Sequence, residues 1–295
     1  MSAYHAGELA VQRRMGQAEI AARVGRMIRT EIPAAAAAFL SEQPMIVLAA
    51  TDDAGRVWAS LVTGPAGFVH AEDDQTITVE ALPVPGDPLH DVLRRPGRQV
   101  GMIAIEPQTR RRMRVNGSVQ PTAAGLSIHP DQVYSNCPKY IARRHIDEVA
   151  DVASPAVVRR ADVLDERLQR IVARADTFFI GSADPEGNAD ASHRGGNPGF
   201  LQVLSPNRLR WPDYRGNSMF MTLGNISANP RCGLLIPDWE TGTTLQLTGT
   251  AEIVWDGGVA GSQCSVEFTV DEVIELTDVS PLRWGQAELS PANPD

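Results

Sequence analysis

One numerical offset constrains this chain more than any other feature of it. Adding 132 carries Gly55 onto Gly187, Ser60 onto Ser192, Gly67 onto Gly199, Phe68 onto Phe200, Gly101 onto Gly233 and Gly117 onto Gly249. The flanking segments agree in kind: DDAGRVWASLVTGPAGF aligns with DPEGNADASHRGGNPGF, and GMIAIEPQTRRRMRVNGSV with GLLIPDWETGTTLQLTGTA. Matched glycines at turn-like places, joined without a gap, predict two copies of one folding unit. The length of 295 residues suits this, since about 150 residues make an ordinary domain. The expected division is an N-terminal helical segment over 1–43, a first copy over 44–160 and a second over 161–295.

Each copy reads as antiparallel strands. In TTLQLTGTAEIVW, Leu245, Leu247, Gly249, Ala251 and Ile253 share one face, and Thr244, Gln246, Thr248, Thr250 and Glu252 the other, as in a half-buried strand. The first copy repeats the alternation, with Met113, Val115, Gly117 and Val119 opposite Arg112, Arg114, Asn116 and Ser118, so Arg114 stands where Gln246 does. Five or more short strands per copy, punctuated by turns such as DDAG and DPEG, favour a small barrel, because closure removes exposed edges. Helices are expected over Gly7 to Thr30, Pro138 to Glu148, Asp162 to Ala175 with Asp162 as N-cap, and Asn217 to Ala228 before Pro230. The fold class is therefore mainly β with flanking helices (α+β). No flexible linker separates the copies, so they should pack on one another.

Composition narrows the function. A net charge of −9 argues against nucleic acid as a partner while leaving room for a local basic pocket. Cys137, Cys232 and Cys264 lack the spacing of a disulfide framework or a zinc site, so no metal is expected and a reducing compartment fits. The apolar runs fall far short of the ~20 residues of a membrane span. The mixed charges of MSAYHAGELAVQRR are unlike a secretion signal, giving an expectation of a cytoplasmic protein without a membrane partner.

Several stretches could carry chemistry. Ser192 and His193 in DASHRGG are strand neighbours pointing to opposite faces, which rules them out as nucleophile and base. Arg194 followed by Gly195 and Gly196 is either an anion grip, with backbone N–H groups open to a phosphate, or a glycine-rich hairpin end. Arg215, Asn217 and Ser218 precede a short helix whose N-terminus could receive a phosphate or could simply be capped. In TRRRMR, alternation places Arg110, Arg112 and Arg114 on one face, as a solvated edge or an anion clamp. Lys139, Arg143 and Arg144 lie near Tyr134 and Tyr140, where they could snorkel or line a pocket for a flat, charged ligand. Cys137 reads as a small packed residue. Trp211 could border a ring system or finish a strand against the barrel end. No catalytic acid or base is marked by any motif.

HRGGNPGF, LRWPDYRGNSMFMTLGNI and NPRCGLLIPDWETGTTLQLTGTAEI, with WASLVTGPAGF, TRRRMRVNG and NCPKYIARR in the first copy, resemble the pyridoxamine 5'-phosphate oxidase-like, flavin-nucleotide-binding superfamily. Within it the chain is most similar to a subgroup with two tandem barrels. The resemblance implies two tandem split β-barrels of the FMN-binding type, with FMN in a groove between barrels that usually come from a homodimer. It places cofactor contacts at His193 and Arg194, at Asn217, Ser218 and Met219, and at Gln246; Gly195 beside Arg194, and Trp211 just before the turn, are candidates from the residues themselves. Because two copies can imitate a dimer within one chain, Arg112, Arg114, Lys139 and Arg143 would face the same cofactor. Met219 stands where a phosphate-binding lysine is expected, and SPLRWGQ lacks the Arg-Leu pattern for pyridoxamine phosphate. The implied function is a flavin-dependent oxidoreductase acting on a small molecule. The alternatives are a non-enzymatic flavin-binding or sensing protein, and the same groove holding haem, FAD or a deazaflavin. Whether the chain also forms a homodimer stays open at this stage.

Overall fold

The computed structural model describes residues 3–135, 137–152, 154–255 and 261–294. The N-terminal segment folds as α1 (Ala6–Arg14), α2 (Ala18–Val24) and α3 (Ala34–Ser41). The first sheet follows: β1 (Met45–Thr51), β2 (Val57–Thr63), β3 (Val69–Ala71), β4 (Ile77–Val79), β5 (Arg98–Glu106), β6 (Arg111–Pro121) and β7 (Leu126–Ser135). Beyond it come β8 (Ile146–Val149), β9 (Ala156–Ala161) and α4 (Glu166–Arg174). The second sheet contains β10 (Thr177–Ala183), β11 (Ala189–Gly195), β12 (Gln202–Ser205), β13 (Arg208–Tyr214), α5 (Met221–Ala228) as an insertion, β14 (Arg231–Pro237), β15 (Thr244–Val254) and β16 (Ser262–Thr277), before a final β17 (Leu282–Trp284).

The strand orders, β2-β1-β5-β6-β7-β4-β3 and β11-β10-β14-β15-β16-β13-β12, are the same path traced twice. Registers agree residue by residue. Met45 opposes Thr63 as Thr177 opposes Gly195, and the bulge between Asn116 and Gly117 recurs between Thr248 and Gly249. The gapless offset ends there: Gly117 opposes Pro130 but Gly249 opposes Val270, so the last long strand is displaced by 140 rather than 132. The fold is thus two tandem split β-barrels with few helices. After the first barrel, β9 joins the second sheet beside β16, and β8 pairs with β17 in a separate two-stranded sheet.

Of the repeated glycines, Gly55, Gly67, Gly187 and Gly199 take positive φ at turns, whereas Gly101, Gly117, Gly233 and Gly249 mark close approaches. A Cβ on Gly101 would lie 2.5 Å from the Asp190–Ala191 backbone, and one on Gly233 would lie 2.5 Å from the Val57 carbonyl. The repeat relates these contacts: β5 lies on β11 as β14 lies on β2. The first half of the polar face of β15 is buried against the first copy as a result, while Thr250 and Glu252 farther along stay exposed. Gln246 is fully buried and Thr248 is 1% exposed. The core of the first barrel runs on into the second through Phe179, Leu235 and Ile274, and the second has a further cluster where Phe178 meets Trp211 edge-on at 5.2 Å and Phe200 at 5.7 Å.

The helix expected over Pro138 to Glu148 does not form. Those residues run irregularly into β8, with Tyr140 at φ 66°. Over 162–175, the N-cap is Asp165, whose side chain accepts from Leu168 N at 2.8 Å, and not Asp162. No helix among the described residues is long and apolar enough to cross a membrane.

Candidate functional site

A cavity of about 90 Å³ opens where β6 of the first barrel faces β11 and the start of α5 of the second. Strand alternation puts Arg112 and Arg114 on one side chain row of β6, and both line it. From the second barrel come His193, Arg194 and Gly195, the β13 end with Asp213 and Tyr214, the turn with Asn217 and Ser218, and Met221 to Leu223.

The electrostatics are unbalanced. Arg114 lies 3.6 Å from Asp190, and Arg194 lies 3.4 Å from Asp213. Arg112 has no carboxylate partner among the described residues; it donates to the Cys137 carbonyl and to His193 Nδ1, each at 2.8 Å. Three guanidiniums therefore face two carboxylates. Burial, and then the charges of Arg114 and Arg194, push Arg112 down to about 9, so it remains a cation at neutral pH. On Arg114 burial also opposes the charge, but Asp190 and Tyr134 outweigh it and the net shift is upward.

The Arg112 contact fixes the imidazole. A guanidinium only donates, so Nδ1 must accept and the proton of neutral His193 sits on Nε2. Burial, reinforced by the surrounding arginines, holds His193 well below the usual imidazole range. Its Nε2 is buried without a partner, as are Nε of Arg112 and Nε of Arg194. Buried donors normally find acceptors, so these three keep unused donor capacity beside the cavity.

Helix α5 adds donors. Its N-cap, Phe220 at φ 58°, makes no side-chain capping bond, so first-turn N–H groups keep their capacity for an anion. The candidate capping residues are engaged elsewhere: Ser218 Oγ donates to Gln17 Oε1 at 2.6 Å, and Asn217 Oδ1 accepts from Met219 N at 3.1 Å. Ser218 and Phe220 both adopt left-handed backbone, uncommon for residues with side chains. At the mouth, the Tyr140 and Tyr214 rings meet at 5.1 Å, and Tyr140 OH donates to the Arg215 carbonyl at 3.0 Å.

The residues expected from the sequence divide. Arg112, Arg114, His193, Arg194, Gly195, Asn217 and Ser218 converge on the cavity. Trp211 does not; it is 1% exposed within the second barrel core. Met219 packs with Tyr4, Tyr134 and Met221 in a separate apolar cluster. Gln246 reaches the first barrel instead, donating to the Ala59 carbonyl at 2.8 Å and to Asp87 Oδ2 at 2.9 Å. Lys139 is exposed, and Arg143 pairs with Glu288 at 3.1 Å. Arg110 leaves the strand face, having left-handed backbone and pairing with Glu288. Cys137, Tyr140, Asp213, Tyr214 and Thr222 line the cavity without having been singled out for it. Of these, Asp213 and Tyr214 sit inside the quoted LRWPDYRGN, where the neighbouring arginine was a usable signal. Ser192 Oγ lies 2.8 Å from Thr222 Oγ1 and 3.2 Å from Asp190 Oδ2, whereas His193 turns to Arg112.

Residues 164–268, from the lead-in to α4 as far as β16, match the family model described as pyridoxamine 5'-phosphate oxidase. That match covers α4 and the strands of the second barrel as far as β16, and the first barrel lies outside it. Among solved structures, it is similar to an FMN-binding protein from Syntrophomonas wolfei (6% identity, 36% of this chain and 81% of that one, TM-score 0.30). It is also similar to HupZ of Group A Streptococcus (12% identity, 40% and 97%, TM-score 0.33). A third is a Clostridium acetobutylicum protein related to general stress protein 26, of the pyridoxinephosphate oxidase family (12% identity, 42% and 96%, TM-score 0.32). No curated protein matches the chain.

Proposed function

We propose that this protein binds a flavin nucleotide, FMN in the first instance, and works as a flavin-dependent oxidoreductase on a small molecule. The observation that carries the reading is Arg112, a half-buried cation with a buried Nε and no carboxylate partner among the described residues, beside the free Nε2–H of His193 and the uncapped start of α5. A phosphate dianion meets all three requirements: it neutralises the surplus charge, accepts from the orphaned donors and suits the helix terminus. The enclosed space of about 90 Å³ is below the roughly 300–1,000 Å³ of whole-ligand sites, so it suits the phosphate end, with the ring system left to the mouth beside Tyr140 and Tyr214.

A bound flavin supplies the electron chemistry. The chain's own residues bind and orient: Arg112 and Arg194 hold the anion, His193 presents a proton donor of fixed tautomer, and the tyrosine pair offers apolar ring surface. The purified protein should show a flavin absorbance spectrum, and mass analysis of what denaturation releases should identify FMN. A haem band, or release of FAD or a deazaflavin, would replace FMN in the same cavity. Arg194→Ala should weaken retention, and unchanged retention would remove the phosphate from this place. Reduction of the bound flavin followed by turnover separates an oxidoreductase from a flavin-binding or sensing protein.

A further inference from the structure

A second cavity, of about 490 Å³, borders Arg112 as the first does. Its size lies within the range of small-molecule sites, roughly 300–1,000 Å³. Its lining is apolar at the base: Phe39, Met113 and Val133 are each buried, and Met27 adds a side chain that is 58% exposed. A methionine so exposed beside a buried apolar floor is an incompletely covered surface.

The charge around that floor has one sign. Four arginines line the cavity and, among the described residues, no aspartate or glutamate does. Arg110 and Arg111 are neutralised, by Glu288 at 3.0 Å and Glu106 at 2.9 Å. Arg29 and Arg112 have no carboxylate partner among the described residues. Arg29 is anchored by its main chain, which exchanges two hydrogen bonds with Val133, at 3.0 and 2.7 Å. A fixed backbone thus presents an exposed guanidinium that no carboxylate among the described residues occupies.

We propose that this second cavity binds a small carboxylate with an apolar body, its carboxylate on Arg29 and its body over Phe39, Met113 and Met27. A guanidinium fork matches a carboxylate in two parallel hydrogen bonds. A monoanion on an apolar stem also leaves less charge to desolvate over this floor than a bare phosphate would. The proposal does not depend on flavin in the neighbouring cavity.

Calorimetric titration of the full chain with octanoate tests it, with 1-octanol and inorganic phosphate as comparison probes. Octanoate should bind saturably at one site, and Arg29→Gln should weaken it about tenfold, the loss of one charged contact. Met27→Gln, at an exposed position where folding is not at stake, should weaken it several-fold. 1-Octanol and phosphate should each bind far more weakly. Absence of saturable octanoate binding, equal binding of octanol or phosphate, or an affinity unchanged by Arg29→Gln would each overturn the assignment. Sedimentation of the same samples supplies a further arm: a dimer dispersed by Met27→Gln, with no octanoate binding, would assign the surface to a second copy instead. Flavin absorbance in those samples keeps this result separate from the fate of the neighbouring site.

Discussion

The duplicated backbone creates two equivalent grooves, and only one of them is open. The cavity of His193 and Arg194 faces Arg112 and Arg114; the offset puts Leu61, Val62, Thr244 and Gln246 at the counterpart positions, of which Leu61 lines a second, far smaller pocket. In that counterpart the free space falls to about 10 Å³, taken up by Met45, Leu61, Pro237, Trp239 and Trp284. The two tryptophans meet edge-on at 5.5 Å. The polar bridges diverge in the same way. Arg114 reaches Asp190 across the open groove, whereas its counterpart Gln246 reaches Ser60 and Asp87, so a neutral amide stands where the guanidinium does. Identical strand registers therefore decide where a groove falls, and side chains alone decide whether it is a site or a packed seam.

Opening the closed groove should cost the most. Trp284→Ala removes a side chain that is 6% exposed, and should cost about 4 kcal/mol in urea unfolding. A loss below about 1 kcal/mol would mean the seam is loosely filled. The Asp87 bridge should be the next largest effect. Burial raises its carboxyl to about 6, above the ~3.9 of an unfolded chain. The folded state holds that proton more tightly, so the contribution is fully present below about pH 4 and is lost as pH rises to 6, by at most about 3 kcal/mol. Asp87→Asn should flatten that part of the stability profile, and an unchanged slope would place the titration elsewhere.

On the open side, Arg112→Leu should reduce flavin affinity about thirtyfold, the cost of about 2 kcal/mol for a charged contact. It should leave the melting temperature of the ligand-free protein level or raised, because a half-buried cation with no carboxylate partner among the described residues is removed. A fall in both would make Arg112 a packing residue. The smallest change is Tyr140→Phe, which deletes the bond to the Arg215 carbonyl. About 0.5–1 kcal/mol of stability is expected to go, with a measurable rise in flavin off-rate if the tyrosine pair guards the mouth.

Much of this was legible in the residues. The offset of 132 anticipated paired strands in matching register, and alternation put Arg112 and Arg114 together. What stayed hidden depended on the opposite copy. Gln246 and Thr248 read as a wetted face because period-two patterning cannot tell water from a second sheet carrying its own polar partners. Tyr140 and Arg110 adopt left-handed backbone fixed by distant contacts with Ser290 and Glu288, which helical propensity over Pro138 to Glu148 could not foresee. Met219 was expected near a phosphate, yet its short distance from Ser218 in sequence hides a chain reversal that buries it beside Tyr4.

Joining both barrels in one polypeptide has a consequence for how such a molecule can vary. In a symmetric pair of separate chains, every substitution appears at both grooves at once, so an arginine gained by one is imposed on the other. Here His193 and Leu61 are encoded separately. Dilution cannot part the halves, because each is held near the other at the high effective concentration of a tether. One groove was thus free to become mortar while the other stayed a door.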